Sequence, residues 1–134
     1  MSDIDKLYQK QILDEAKKPY HFESREGSHQ QIRAYNPICG DRFDLFIGKE
    51  DLHFHGFGCT ISKASTSFMI RELEGKSKVD SLVIINDFLD SIDQKKEITS
   101  TRLRVFEKTD NFRGRKDCIV LAWKAMKKYL EDES

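Results

Sequence analysis

Residues 42–57 read RFDLFIGKEDLHFHGF, and this stretch restricts the fold more than any other part of the chain. Phe43, Leu45 and Ile47 recur at every second position against Arg42, Asp44 and Phe46, and Leu52, Phe54 and Gly56 repeat the pattern on the way back. A period of two belongs to a strand with one buried face. The intervening Gly-Lys-Glu-Asp reverses the chain, so the pair is a β-hairpin. Such a hairpin needs something to cover its apolar side.

The cover comes from segments with helical periodicity. Residues 3–17 place Ile4, Leu7, Tyr8 and Ile12 on one side, and Pro19 ends the run. After the hairpin, Ile61, Ala64, Ser65, Phe68, Met69 and Leu73 recur at helical spacing, and Gly75 stops them. Ser77 is placed to cap a third helix with a stripe of Leu82, Ile85, Leu89 and Ile92. Residues 94–113 dissolve into charge, with one short turn around 103–106. A final helix over 118–130 presents Ile119, Trp123, Met126 and Leu130. Between the first helix and the hairpin, QIRAYN supplies a short strand. The order is helix, three strands, then helices. It predicts an α+β fold, with a small three-stranded antiparallel sheet packed on one face by helices, as one domain over residues 1–134.

Composition removes several classes of function. The chain carries 23 basic and 23 acidic residues, a balance that offers neither a nucleic-acid grip nor a membrane-binding field. Apolar runs of about five residues are too short to span a bilayer. The first residues, MSDIDKLYQKQ, lack the apolar stretch of a secretory signal. The expected location is therefore the cytoplasm, where free thiols persist.

That makes the placement of the three cysteines informative. Cys39 lies in the turn before the hairpin and Cys59 just after it. A strand out and a strand back bring both to one end of the sheet. Asp41, two residues after Cys39, can reach the same point. Gly56 and Gly58 clear space beside Cys59 for a backbone or an ion. Cys59 and Cys118 both fall at expected helix N-termini, where partial positive charge favours the thiolate; Arg115 and Lys116 act on Cys118 in the same direction. Spacing alone leaves two readings open, because small buried cysteines also fill cores and no C-x-x-C pair is present.

The segments NPICGDRF, FHGFGCTISKASTSFM, ELEGKS and CIVLAWKAM resemble the SufU/IscU family of iron–sulfur cluster assembly proteins, related to the N-terminal part of NifU. The resemblance covers residues 36–129 and implies a SufE/NifU-like fold. It puts the family's metal-binding cysteines on Cys39, Cys59 and Cys118 and its key aspartate on Asp41. Within the family the chain looks more like the SufU branch. Asp117 stands where IscU-like members carry histidine, the interval from Cys59 to Cys118 is long, and Arg115 matches a basic residue of SufU. The hairpin is shorter than usual.

The implied site has three sulfurs and one oxygen, a set that suits tetrahedral Zn²⁺. Three thiolates, a carboxylate and a dication sum to a charge of about −2, which Arg115 and Lys116 would partly neutralise. The resemblance further implies a persulfide relay. Cys39 would accept sulfur from a SufS-type cysteine desulfurase, Asp41 would be ligand and tuner, and Cys59 and Cys118 anchors. A downstream Suf scaffold or apo-acceptors would receive the sulfur. The alternative use of the same residues is a scaffold for iron or a [2Fe–2S] cluster. A third reading, a thiol hydrolase using Cys59 with His53 or His55, lacks an acidic orienter and an oxyanion motif. With four ligands already assigned, His53 and His55 are expected to face solvent, although histidines at i and i+2 of a strand can bind metal. The run from Ala64 to Ser67 is expected to let its helix approach the sheet rather than to form a phosphate nest. Trp123 is expected in the core.

Overall fold

A computed structural model describes residues 3–25, 27, 29–38, 40–94, 96–107 and 115–132. Four helices and three strands follow in the order α1 (Asp3–Lys17), β1 (Gln30–Tyr35), β2 (Arg42–Ile47), β3 (Leu52–Phe57), α2 (Thr60–Leu73), α3 (Lys78–Gln94) and α4 (Lys116–Asp132), with a short three-ten helix, Arg102–Phe106, before α4. The sheet is antiparallel throughout, in the order β1-β2-β3. The architecture is α+β, as expected.

In the hairpin Leu45 pairs with Phe54 and Ile47 with Leu52, so the predicted apolar faces of the two strands coincide. Phe43, Leu45, Leu52 and Phe54 are buried in the core, together with Met69, Ile85, Phe88, Phe106, Ile119 and Trp123 from the helices. Phe43 also pairs with Gly56, whose φ is +143°. A Cβ there would stand 2.2 Å from the Arg42 carbonyl oxygen, so glycine is required for β2 and β3 to close. Gly58 serves packing as well: a Cβ would meet the Phe43 ring at 2.9 Å and Ser62 Oγ at 2.7 Å. The space beside Cys59 is thus taken by the protein's own backbone and side chains.

Helix α2 is the central element. Ala64, Ser65, Thr66 and Ser67 are all buried in it. Two of these small side chains meet neighbouring helices. Ser65 Oγ donates to the Ile119 carbonyl of α4 at 2.5 Å and accepts from Trp123 Nε1 at 3.1 Å. Ser67 Oγ donates to Glu15 of α1 at 2.5 Å, and Arg71 Nε donates to the same Glu15 oxygen at 2.7 Å. Gly75, at φ +79°, follows the α2 C-cap, and the Asp80 N–H donates to Ser77 Oγ at the start of α3.

Some faces differ from expectation. On α1, Ile12 is buried and Tyr8 packs against the core, but Ile4 and Leu7 are half exposed. On α3 the buried line is Ser81, Ile85, Phe88 and Ile92; Leu82 and Leu89 flank it. Residues after α3 are less open than their charge suggests, because Ile98, Leu103, Val105 and Phe106 join the core. Residues 108–113 of that charged stretch lie outside the described residues. No described helix is long and apolar enough to cross a membrane.

The sheet's second face has a cover of its own. His21 O accepts from Phe54 N–H at 3.0 Å, and Phe22 bridges to Phe54, so the chain after α1 runs along the outer edge of β3. It then crosses to the start of β1 at the opposite edge. Phe46 and His53, cross-strand partners on this face, are both buried. The expectation that His53 faces solvent is corrected, while His55 is exposed as expected.

Candidate metal centre

Three chain segments meet at the end of the sheet opposite the hairpin turn. The first is the connection from β1 to β2, closed by hydrogen bonds from Gly40 N–H to Asn36 O at 2.8 Å and from Asn36 N–H to Asp41 O at 2.9 Å. The second is the junction from β3 to α2, and the third the first turn of α4. They carry Asp41, Cys59 and Cys118, whose ligand-type atoms lie within 4.8 Å of one another. Cys39, assigned to the same site from the sequence, lies outside the described residues.

Each side chain has a local reason for its position. Cys59 is the N-cap of α2, with φ −68° and ψ 163°, and its sulfur accepts from Ser62 N–H at 3.4 Å. An acceptor is what the first turn of a helix needs, and the adjacent amide dipoles favour negative charge there. Ser62 Oγ donates to the Cys59 carbonyl at 3.1 Å and holds the cap. Asp41 is buried at 3% exposure, and its Oδ1 accepts from the Cys59 backbone N–H at 3.0 Å. That bond ties the strand connection to the helix junction. Cys118 stands in the first turn of α4, buried, one residue before the Ile119 carbonyl held by Ser65.

The electrostatics correct one expectation. Helix-end charge and nearby basic residues predict an acidified Cys118. Instead its thiol is pushed up to about 12, first by burial and then by Cys59 and Asp41. Crowding two potential thiolates against a buried carboxylate outweighs the helix terminus. The Arg115 guanidinium is held more firmly protonated, chiefly by its hydrogen bond to Cys118 and then by the charges of Cys59, Cys118 and Asp41. Lys116 takes no part, since its ammonium pairs with Asp93 at 2.9 Å. Asp117 is exposed in the first turn of α4 and is not in the cluster.

This donor set fits a cation. Two sulfurs and a carboxylate converge on one point, and burial keeps a proton on Cys118 where a positive ion would otherwise balance the charge. Two thiols and a carboxylate suit a borderline or soft metal. His53, one of the two histidines offered as base in the thiol-hydrolase reading, belongs to a different cluster at the turn end of the hairpin, with His29 and Asp51. Sequence reasoning missed His29 and Asp51. The i, i+2 histidine pair was the signal, but the partner of His53 is not His55. It comes from the segment that crosses the sheet.

Comparison with known proteins bears on the family and the fold. The family model for the NifU-like N-terminal domain matches residues 7–132. The chain is 30% identical to the iron–sulfur cluster assembly scaffold protein IscU of Streptococcus pyogenes serotype M1, over 98% of this chain and 87% of that protein. It is 31% identical to the zinc-dependent sulfurtransferase SufU of Bacillus subtilis strain 168, over 98% and 95% respectively. The crystal structure of a NifU-like N-terminal protein from Brucella abortus superimposes with a TM-score of 0.80 at 17% identity, over 99% of this chain and all of that one, and shows the same fold.

Proposed function

The chain belongs to the NifU N-terminal/IscU/SufU family of iron–sulfur cluster assembly proteins, and on that basis we propose that it is a zinc-dependent sulfur-transfer protein serving a SufS-type cysteine desulfurase. The observation that carries this reading is the convergence of Asp41, Cys59 and Cys118 while the residue before Cys118 is an exposed aspartate. Asp117 stands outside the cluster, so the described donor set is two sulfurs and one oxygen. Identities of 30% and 31% to a scaffold and to a sulfurtransferase do not separate the two roles, so the support must come from the site.

In this reading Cys39, Asp41, Cys59 and Cys118 hold the zinc. The ion, when bound, stabilises thiolates that burial would otherwise keep protonated. Asp41 fixes the β1–β2 connection against α2 through the Cys59 N–H. Arg115 supplies positive charge beside Cys118. The Cys39 thiolate attacks the terminal sulfur of the desulfurase persulfide. The old S–S bond breaks, the desulfurase cysteine leaves as thiolate, and the persulfide now stands on Cys39 with no net oxidation. Downstream acceptors, a Suf scaffold or apo-proteins, take the sulfur in the same way.

The test is desulfurase turnover with cysteine as substrate. Wild-type protein is expected to raise turnover, Cys39→Ala to abolish the increase, and Asp41→Ala to change it while the protein stays folded. Full stimulation by Cys39→Ala would remove the acceptor assignment. Anaerobic loading with iron supplies the second arm: a stable visible-absorbing cluster passed efficiently to an apo-acceptor would identify a scaffold instead.

A further inference from the structure

His29, Asp51 and His53 form a second cluster, roughly 15–20 Å from the first at the far end of the hairpin. One ligand-type atom from each lies within 4.8 Å of the other two. Both rings converge on a single carboxylate oxygen: His29 Nε2 is 2.9 Å and His53 Nδ1 3.2 Å from Asp51 Oδ2. Around a tetrahedral ion with metal–nitrogen bonds of ~2.0 Å, ligand atoms stand ~3.3 Å apart. The cluster is therefore close to a coordination spacing already.

Hydrogen bonding accounts for only half of it, the contact between His29 Nε2 and Asp51 Oδ2. His53 is 4% exposed, and its Nδ1 has no partner with hydrogen-bond geometry among the described residues, despite the nearby carboxylate. Its other nitrogen, Nε2, is 3.5 Å from Glu23 Oε1. A proton on Nε2 directed at Glu23 leaves an Nδ1 lone pair facing a carboxylate, an arrangement that a cation between them relieves. Carboxylates behind the second ring nitrogen commonly orient metal-binding histidines. Gly48 is the second independent sign. Its φ does not require glycine, yet a Cβ would stand 2.2 Å from Asp51 Oδ1 and 2.7 Å from His29 Nε2. The turn is cleared for these two side chains. His21, stacked on His53 with ring centroids 4.4 Å apart, is not a ligand; its Nδ1 faces Glu74 at 2.7 Å and Leu52 O at 3.0 Å.

We propose that His29, Asp51 and His53 bind a second divalent transition ion of the zinc class, independent of the cysteine centre. Two imidazoles and a carboxylate, with no thiolate, favour zinc, cobalt or nickel over calcium, magnesium or cuprous ion. Asp51 is 41% exposed, so water completes the coordination and the ion exchanges with solvent. The bound ion fastens the segment that crosses the sheet to the hairpin turn.

Cobalt(II) titration of the full chain tests this, read by absorption and by imidazole proton–nitrogen NMR. Wild type should take up two equivalents: one with thiolate charge-transfer absorption, and one without it that shifts the His29 and His53 ring signals. Asp51→Asn and His29→Gln change partly exposed side chains and should remain folded, keep the thiolate phase and weaken the other by about tenfold or more. A wild type whose histidine signals do not move, or variants that keep the second phase unchanged, would overturn the proposal. Both readouts are local to the histidines and stand whether or not the cysteine centre behaves as proposed.

Discussion

At Cys118 two local effects oppose each other, and burial wins. A residue in the first turn of a helix, beside an arginine, would be an acidified thiol if it stood in water. Enclosed with Cys59 and Asp41 it is pushed up to about 12. The linkage then has a definite sign. Below the ordinary thiol range both folded and unfolded chains keep this proton, and it contributes no pH dependence. Between about 9 and 12 the unfolded chain releases the proton while the folded chain retains it, so the metal-free protein loses stability as pH rises, by at most ~1.4 kcal/mol per pH unit. Denaturant unfolding of metal-free wild type and Cys118→Ala across this window should show the extra slope in wild type alone. Equal slopes would mean that Cys118 titrates normally.

Among the elements, α2 decides whether the site assembles, because it touches the sheet through its N-terminus and α4 through Ser65. Ser65→Ala would leave the Trp123 indole N–H and the Ile119 carbonyl without their shared partner in the core. The expected cost is ~1–3 kcal/mol of stability by chemical denaturation, with weaker zinc binding because Ile119 adjoins Cys118. A variant with wild-type stability and affinity would show that α4 is held by its apolar face alone. This element scale also explains how much could be read beforehand. Strand alternation identified the hairpin and helical periodicity the four helices, because each of those signals lies within a dozen residues. A hairpin's two ends meet by geometry, which brings Asp41 and Cys59 together; that Cys118 joins them was implied by the family resemblance and not by periodicity. What escaped was non-local. His53 is buried by a segment that leaves α1 and crosses the sheet, and nothing in LHFHGF encodes that path. Lys116 finds Asp93 on another helix for the same reason, and the buried line on α3 turned toward Phe88 because Phe106 and Trp123 pack there.

For the whole molecule, the cysteine centre joins the β1–β2 connection, the β3–α2 junction and α4, three parts far apart in sequence. A ligand that binds only the folded chain stabilises all of it. At free zinc 100-fold above the dissociation constant the gain is ~2.7 kcal/mol, or roughly 10 °C of melting temperature for a chain of this size. Wild type should show that increment in a thermal melt, and Cys59→Ala and Cys118→Ala should gain less on zinc addition, keeping only what an ion at His29, Asp51 and His53 contributes. Variants that gain as much as wild type would place the stabilising ion elsewhere. Zinc-edge X-ray absorption of protein loaded with one equivalent is the most direct measurement, since it counts the atoms around the ion. A first shell of about three sulfurs at ~2.3 Å and one oxygen at ~2.0–2.2 Å is predicted, with sulfur lost in Cys59→Ala. A shell of nitrogen and oxygen alone, or one unchanged by that substitution, would contradict the account.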